Sequence, residues 1–163
     1  MHVCFVCTGN ICRSPMAEMV FREFLRKEGL EDRIKVTSAG TGGWHIGDGA
    51  DYRAAAVLRE HGYPYTHAAA QVNTDHLRAD LLVALDGGHE RALQKLVARS
   101  GGDPNRIRML RSFDPKAGGD LDVPDPYYGG NNGFTRVLRM IEASMPGLVD
   151  FVKRNLDEKE GPG

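Results

Sequence analysis

The chain lacks the features that mark a membrane-spanning, exported or nucleic-acid-bound protein. No apolar run approaches the roughly 20 residues that a bilayer requires. The short apolar stretch at the N-terminus has no basic leader of the kind a signal peptide carries. Charge of one sign is missing too: 21 lysines and arginines face 22 aspartates and glutamates, a net charge of -1. No overall field therefore favours nucleic acid or anionic lipid. There are three cysteines, an odd count that builds no disulfide framework. Histidines 45, 61, 67, 76 and 89 show no metal-like pairing with these thiols, so no metal site is expected. Internal repeats and linker-like segments are also absent. The 163 residues, 41% hydrophobic, suffice for one core and are short for two. The expectation is a single monomeric domain in the cytoplasm, with nucleic acid and membrane excluded as partners; export without a signal peptide stays open.

The informative residues are concentrated at the start. An apolar run from His2 to Val6 delivers Cys7 into Thr8-Gly9-Asn10-Ile11-Cys12, and Arg13-Ser14-Pro15 then opens an amphipathic helix. A cysteine attacks as its thiolate, and the positive end of a helix beside a guanidinium favours that anion. The same potential attracts a phosphate dianion. Amides of a short Gly-containing turn can converge on it, while the planar fork of Arg13 takes two of its oxygens. Thr8, Gly9, Asn10, Ile11, Cys12, Arg13 and Ser14 thus read as a phosphate cradle holding its own nucleophile. Gly9 suits tight curvature, Asn10 tolerates positive φ, and Pro15 suits a first helical position. Ser14 has two readings, N-cap of the helix or hydroxyl donor to the Cys7 sulfur. Cys12 also has two, a space-filling loop residue or the partner of Cys7 in a reversible disulfide.

Strand and helix signals alternate along the rest of the chain. The spacing of Met16, Val20 and Phe24 beside Ala17, Phe21 and Leu25 predicts a helix over 15–28, with Glu18 and Arg22 on its polar side. A strand over 34–37 runs into the turn Gly40-Thr41-Gly42-Gly43, and a helix follows over 51–61. Leu81 to Leu85 reads as a central strand buried on both faces, followed by a helix over 88–99 and a short strand at 107–110. A last helix carries Phe134, Val137, Leu138, Ile141, Met145, Leu148 and Val152, with Pro146-Gly147 expected to kink or break it. Four strands alternating with helices predict an α/β fold. A central four-stranded parallel sheet is flanked by helices in a three-layer sandwich, and ligands bind beyond the carboxyl ends of the strands. Cys7 lies at one such end.

A departing ester oxygen must be protonated, so a cysteine phosphatase needs a carboxylic acid near its cradle. The long Pro- and Gly-rich stretch from Arg111 to Gly133 offers Asp114, Asp120, Asp122 and Asp125. Residue chemistry alone does not choose among them, although Asp125-Pro126 followed by Tyr127 and Tyr128 is the most site-like. The two tyrosines either wall, opposite Trp44, a slot for a flat aromatic group or anchor the core.

The cradle, Thr37-Ser38-Ala39-Gly40, Trp44, His61-Gly62, His67, Gln71-Val72 and Asp125-Pro126-Tyr127-Tyr128-Gly129 together resemble the low-molecular-weight protein tyrosine phosphatases at similar spacings. The likeness is greatest in detail to actinobacterial members. It covers residues 1–156 as one phosphatase domain and leaves 157–163 as a polar tail. It implies hydrolysis of phosphotyrosine in proteins through a phosphocysteine, with inorganic phosphate as product and no metal or organic cofactor. It assigns Cys7 as nucleophile, Arg13 as phosphate ligand and Asp125 as the acid. Ser38 and His67 would support Asn10, and Ile11, Trp44, Tyr127 and Tyr128 would form the phosphotyrosine pocket. The resemblance also implies a redox role for Cys7 and Cys12, and a structural one for Asp86. Two other activities share the scaffold. Arsenate reductases carry further cysteines downstream, and none follows Cys12. A protein arginine phosphatase has threonine where Ile11 stands, and an apolar side chain there suits an aromatic ester.

Overall fold

The computed structural model describes residues 1–63, 66–126 and 130–160. Its elements are β1 (His2–Cys7), α1 (Arg13–Lys27), β2 (Lys35–Gly40), α2 (Tyr52–Glu60), α3 (Thr74–Leu77), β3 (Leu81–Ala84), α4 (Gly87–Arg99), β4 (Ile107–Met109) and α5 (Gly130–Glu160). Two 3-10 turns, Pro104–Arg106 and Leu110–Phe113, flank β4. The strands form one parallel sheet in the order β2-β1-β3-β4, with Cys7 paired to Gly40 at the carboxyl end of β1.

Alternation along the strands sorts the core into two layers. Val3, Phe5 and Cys7 of β1, with Leu81 and Val83 of β3, pack against α1, α2 and α5. Cys4, Val6, Leu82 and Ala84 point the other way and meet Leu93 and Val97 of α4. Phe5 and Phe21 join sheet to helix edge to face, ring centres 5.6 Å apart, a geometry aromatic pairs prefer. The three-layer sandwich with a four-stranded parallel sheet is therefore the fold. The outer border of β2 is not bare: Arg22 Nη2 donates to the Val36 carbonyl at 2.8 Å. Near its end, Gly40 exchanges backbone hydrogen bonds with Ala70 and Val72.

Several boundaries depart from the periodicity. Strand β2 continues to Gly40 because its last residues pair with β1. Helix α1 starts at Arg13, flanked by Cys12 with no side-chain cap, so Ser14 is not the N-cap and Pro15 is the third helical residue. Proline is tolerated there because the first four N–H groups of a helix lack intrahelical acceptors. Glu18, expected on the polar side, is 6% exposed because Ser38 donates to it from β2. The four-residue α3 is too short to give a periodic signal. Helix α5 begins within the predicted loop, extends to Glu160 and stays continuous through Pro146. Ile141, Met145, Leu148 and Val152 on its buried face hold it across the lost hydrogen bond. Gly147 beside it has a separate reason: an added Cβ would stand 2.2 Å from the Phe113 carbonyl.

Candidate active site

Five carbonyls of the loop from Cys7 to Arg13 are tied down by hydrogen bonds. Cys7 O accepts Thr41 N–H and Thr8 O accepts Gly42 N–H, both at 2.9 Å, while Ile11 O accepts Asp51 N–H at 2.7 Å. Cys12 O accepts Met16 N–H at 3.1 Å. Asn10 O lies 2.6 Å from His67 Nε2, which must therefore carry the proton and donate. In a planar trans peptide the N–H points opposite to the C=O. Carbonyls drawn outward thus turn the amides of Thr8, Gly9, Ile11, Cys12 and Arg13 inward. The remaining amide, that of Asn10, donates to Cys7 Sγ at 3.3 Å. Gly40 permits this close approach, since a Cβ there would meet the Thr8 carbonyl at 2.6 Å.

Asn10 holds the curve. It has φ of 58°, the only positive value for a non-glycine among the described residues. Its fully buried side chain donates to Ser14 at 2.8 Å and Ser38 at 2.9 Å, and accepts from Ala70 N–H at 2.9 Å. Ser14 Oγ is 2.8 Å from Cys7 Sγ. Cys7, Ser14, Asn10, Ser38 and Glu18 are one continuous buried network.

Arg13, 4% exposed, is fixed rather than free: Nη1 donates to Asp86 Oδ2 at 2.8 Å and to the Val123 carbonyl at 2.9 Å. Its Nη2 lies 3.9 Å from Asp125 Oδ2. Burial works against the Asp86 carboxylate, but the His89 N–H and the Arg13 guanidinium outweigh it and hold its carboxyl below the ordinary range. A cavity of about 240 Å³ opens over Cys7, floored by the cradle and walled by Ile11, Arg13, Trp44, His45 and Asp125. Of the four loop aspartates, Asp125 is the one that lines it. Trp44 lies against Gly42 and is 77% exposed. Tyr127 and Tyr128 lie outside the described residues.

Cys12 also lines the cavity, but burial and then the Asp51 charge push its thiol up to about 12. His45 and His89 emerge as site residues that the sequence did not single out. His45 Cδ2 stands 3.1 Å from where a Gly9 Cβ would be, and His89 Nε2 is 2.9 Å from Thr8 Oγ1. The signal for His89 was present only in part: Asp86-Gly87-Gly88-His89 has the spacing of a helix cap, which it forms through the His89 N–H.

A family described as low molecular weight phosphotyrosine protein phosphatase matches residues 2–159. The chain is 58% identical over 163 residues to low molecular weight protein-tyrosine phosphatase A of Mycobacterium tuberculosis, covering 99% of this chain and 97% of that one. Among solved structures, YfkJ from Bacillus subtilis superposes with a TM-score of 0.86 at 36% identity, covering 95% of this chain and 96% of that one. A drosophila arginine phosphatase does so with a TM-score of 0.86 at 29% identity, covering 94% and 98%.

Proposed function

Because the chain belongs to the low molecular weight phosphotyrosine protein phosphatase family, we propose that it hydrolyses phosphotyrosine monoesters in proteins with Cys7 as nucleophile. The observation that carries this reading is the outward anchoring of the cradle carbonyls, which aims a ring of amides at one point beside the Cys7 sulfur. An anion in that position meets fixed dipoles that need no reorganisation as charge develops.

In the first step the Cys7 thiolate attacks phosphorus in line. The amides and Arg13 hold the three equatorial oxygens, the bond to the tyrosyl oxygen breaks, and Asp125 gives that oxygen its proton. The Ser14 hydroxyl and the Asn10 N–H face the sulfur and stabilise it as a thiolate. In the second step a water attacks phosphorus from the vacated side and Asp125 takes its proton. The P–S bond breaks, Cys7 leaves as thiolate, and inorganic phosphate departs. Ile11 and Trp44 offer apolar contact to the aromatic ring, and Tyr127 and Tyr128 follow Asp125 in the sequence as candidates to complete that pocket. The work belongs in the cytoplasm, where a nucleophilic thiol stays reduced. No helix among the described residues is long and apolar enough to cross a membrane. Cys12, with its reluctant thiol, pairs with Cys7 only after a peroxide has converted Cys7 to sulfenic acid, the disulfide forming with loss of water.

Arginine phosphatase is the second reading, favoured by the superposition on the drosophila enzyme. Apolar Ile11 on the cavity wall supports the aromatic ester instead. The test pairs a phosphotyrosine with a phosphoarginine peptide, and the wild type with Cys7→Ser. Turnover of phosphotyrosine should fall by on the order of 10⁴ or more in the variant while phosphate binding persists. Near-normal turnover by Cys7→Ser, or preference for phosphoarginine, would reject the assignment.

A further inference from the structure

One turn of α4 reaches both ends of the cradle. The two oxygens of Asp86 divide their work: Oδ1 accepts the His89 N–H at 3.0 Å and Oδ2 accepts Arg13 Nη1 at 2.8 Å. His89, 4% exposed, then reaches back across the sheet to Thr8, the first residue after the proposed nucleophile. Helix formation does not call for this arrangement, since histidine is an indifferent helix former and burying an imidazole costs desolvation. The ring has a second telling feature. Its Nδ1 is buried without a hydrogen-bond partner among the described residues and lies 3.3 Å from Asp86 Oδ1. A lone pair turned towards a carboxylate would be repelled, so the proton sits on Nδ1 and Nε2 accepts from the Thr8 hydroxyl.

We infer that His89 is a positioning residue for the phosphate cradle: it anchors the Thr8 end of the loop through that hydroxyl while Asp86 anchors the Arg13 end. The separation between the first amides of the loop and the guanidinium is thereby set to the size of a phosphate ion. This rests on the reading of the cradle as a phosphatase site. Burial, and then the charge of Arg13, push the imidazole down to about 4 against the opposing pull of Asp86, Asp125 and Asp122. The ring is thus neutral, and able to accept, across the range in which a phosphatase is assayed.

The experiment compares His89→Leu, His89→Asn and His89→Gln. It measures phosphate affinity by calorimetry, kcat and KM for para-nitrophenyl phosphate, and the thermal midpoint. Glutamine can place its amide oxygen near the Nε2 position; asparagine reaches only the Nδ1 position. His89→Leu and His89→Asn should weaken phosphate binding about tenfold, and His89→Gln should recover most of it. Thr8→Val combined with His89→Leu should bind phosphate no worse than either alone. Nitrogen-15 spectra should show Nδ1 protonated. The inference is overturned by unchanged phosphate affinity in His89→Leu, by additive losses in the double variant, by equal losses in all three variants that follow the thermal midpoint, or by the opposite tautomer. Because phosphate binding is read separately, a parent that binds phosphate without turnover would sink the phosphatase reading and leave this one standing.

Discussion

Asn10 donates its side-chain N–H to Ser14 at 2.8 Å, and the same Ser14 oxygen lies 2.8 Å from Cys7 Sγ. The Ser14 hydroxyl accepts from Asn10 and faces the sulfur, so the strained residue of the cradle also orients the hydroxyl beside the proposed nucleophile. Asn10→Ala removes three buried hydrogen bonds and keeps the left-handed strain. It should cost about 3 kcal/mol in urea unfolding. Asn10→Gly, relieved of the strain, should be more stable than the alanine variant by about 1 kcal/mol. Equal stabilities would show that the backbone conformation carries no cost here.

Asp125 lines the cavity with its Oδ2 3.9 Å from Arg13 Nη2. Asp125→Asn should lower kcat/KM, which reports only the step that expels the leaving group, about 10²-fold to 10³-fold for phenyl phosphate. The loss should be much smaller for para-nitrophenyl phosphate, whose leaving group needs no proton. Equal losses with both substrates would remove Asp125 from the role of acid.

Acidification should destabilise the protein before its carboxylates titrate. His89 takes a proton at about 4 in the folded chain, against 6.5 for an ordinary histidine. As pH falls below 6.5 the unfolded chain binds a proton that the folded chain refuses, so stability drops, by up to about 3 kcal/mol on reaching pH 4. His2 and His76, lowered chiefly by burial, act with the same sign. Burial opposes the charges of Asp51 and Asp86, but their N–H and guanidinium partners hold both carboxyls down. Their contribution is lost only as pH falls below about 4. Urea unfolding from pH 7.5 to 4.5 should show the decline, and His89→Gln should flatten it; an unchanged slope would contradict the assignment.

Gly147→Ala sets helix propensity against packing. Alanine gains up to about 1 kcal/mol in a helix interior. Its Cβ would, however, stand 2.2 Å from the Phe113 carbonyl, and overpacking of that kind costs about 1 to 3 kcal/mol. A net loss of about 2 kcal/mol is expected, with kcat/KM of the folded protein unchanged. A more stable variant would mean that the 3-10 turn yields at little cost.

Chemistry that depends on neighbours in sequence was legible; chemistry that depends on partners far along the chain was not. Cys7, Asn10 and Arg13 share one loop, and their residue types announce a nucleophile, a left-handed turn and an anion ligand. Glu18 looked solvent-facing because the strand hydroxyl that buries it lies 20 residues away. His89 looked like a helix residue because Thr8 lies 81 residues away. Ser14 has the chemistry of an N-cap, but the cradle itself delivers the chain into the helix and leaves that hydroxyl to the sulfur. The break expected at Pro146 weighed only the local cost of about 3 kcal/mol, which the buried face of the helix outweighs.

The outer margin of β2 has a consequence beyond the site. With one carbonyl taken by a guanidinium, a lysine projecting at position 35 and its far end stitched to Ala70 and Val72, it is a poor template for a strand from another molecule. Crowding should therefore concentrate this protein without seeding fibrils, and a charge-removing Arg22→Leu change should expose it to that fate.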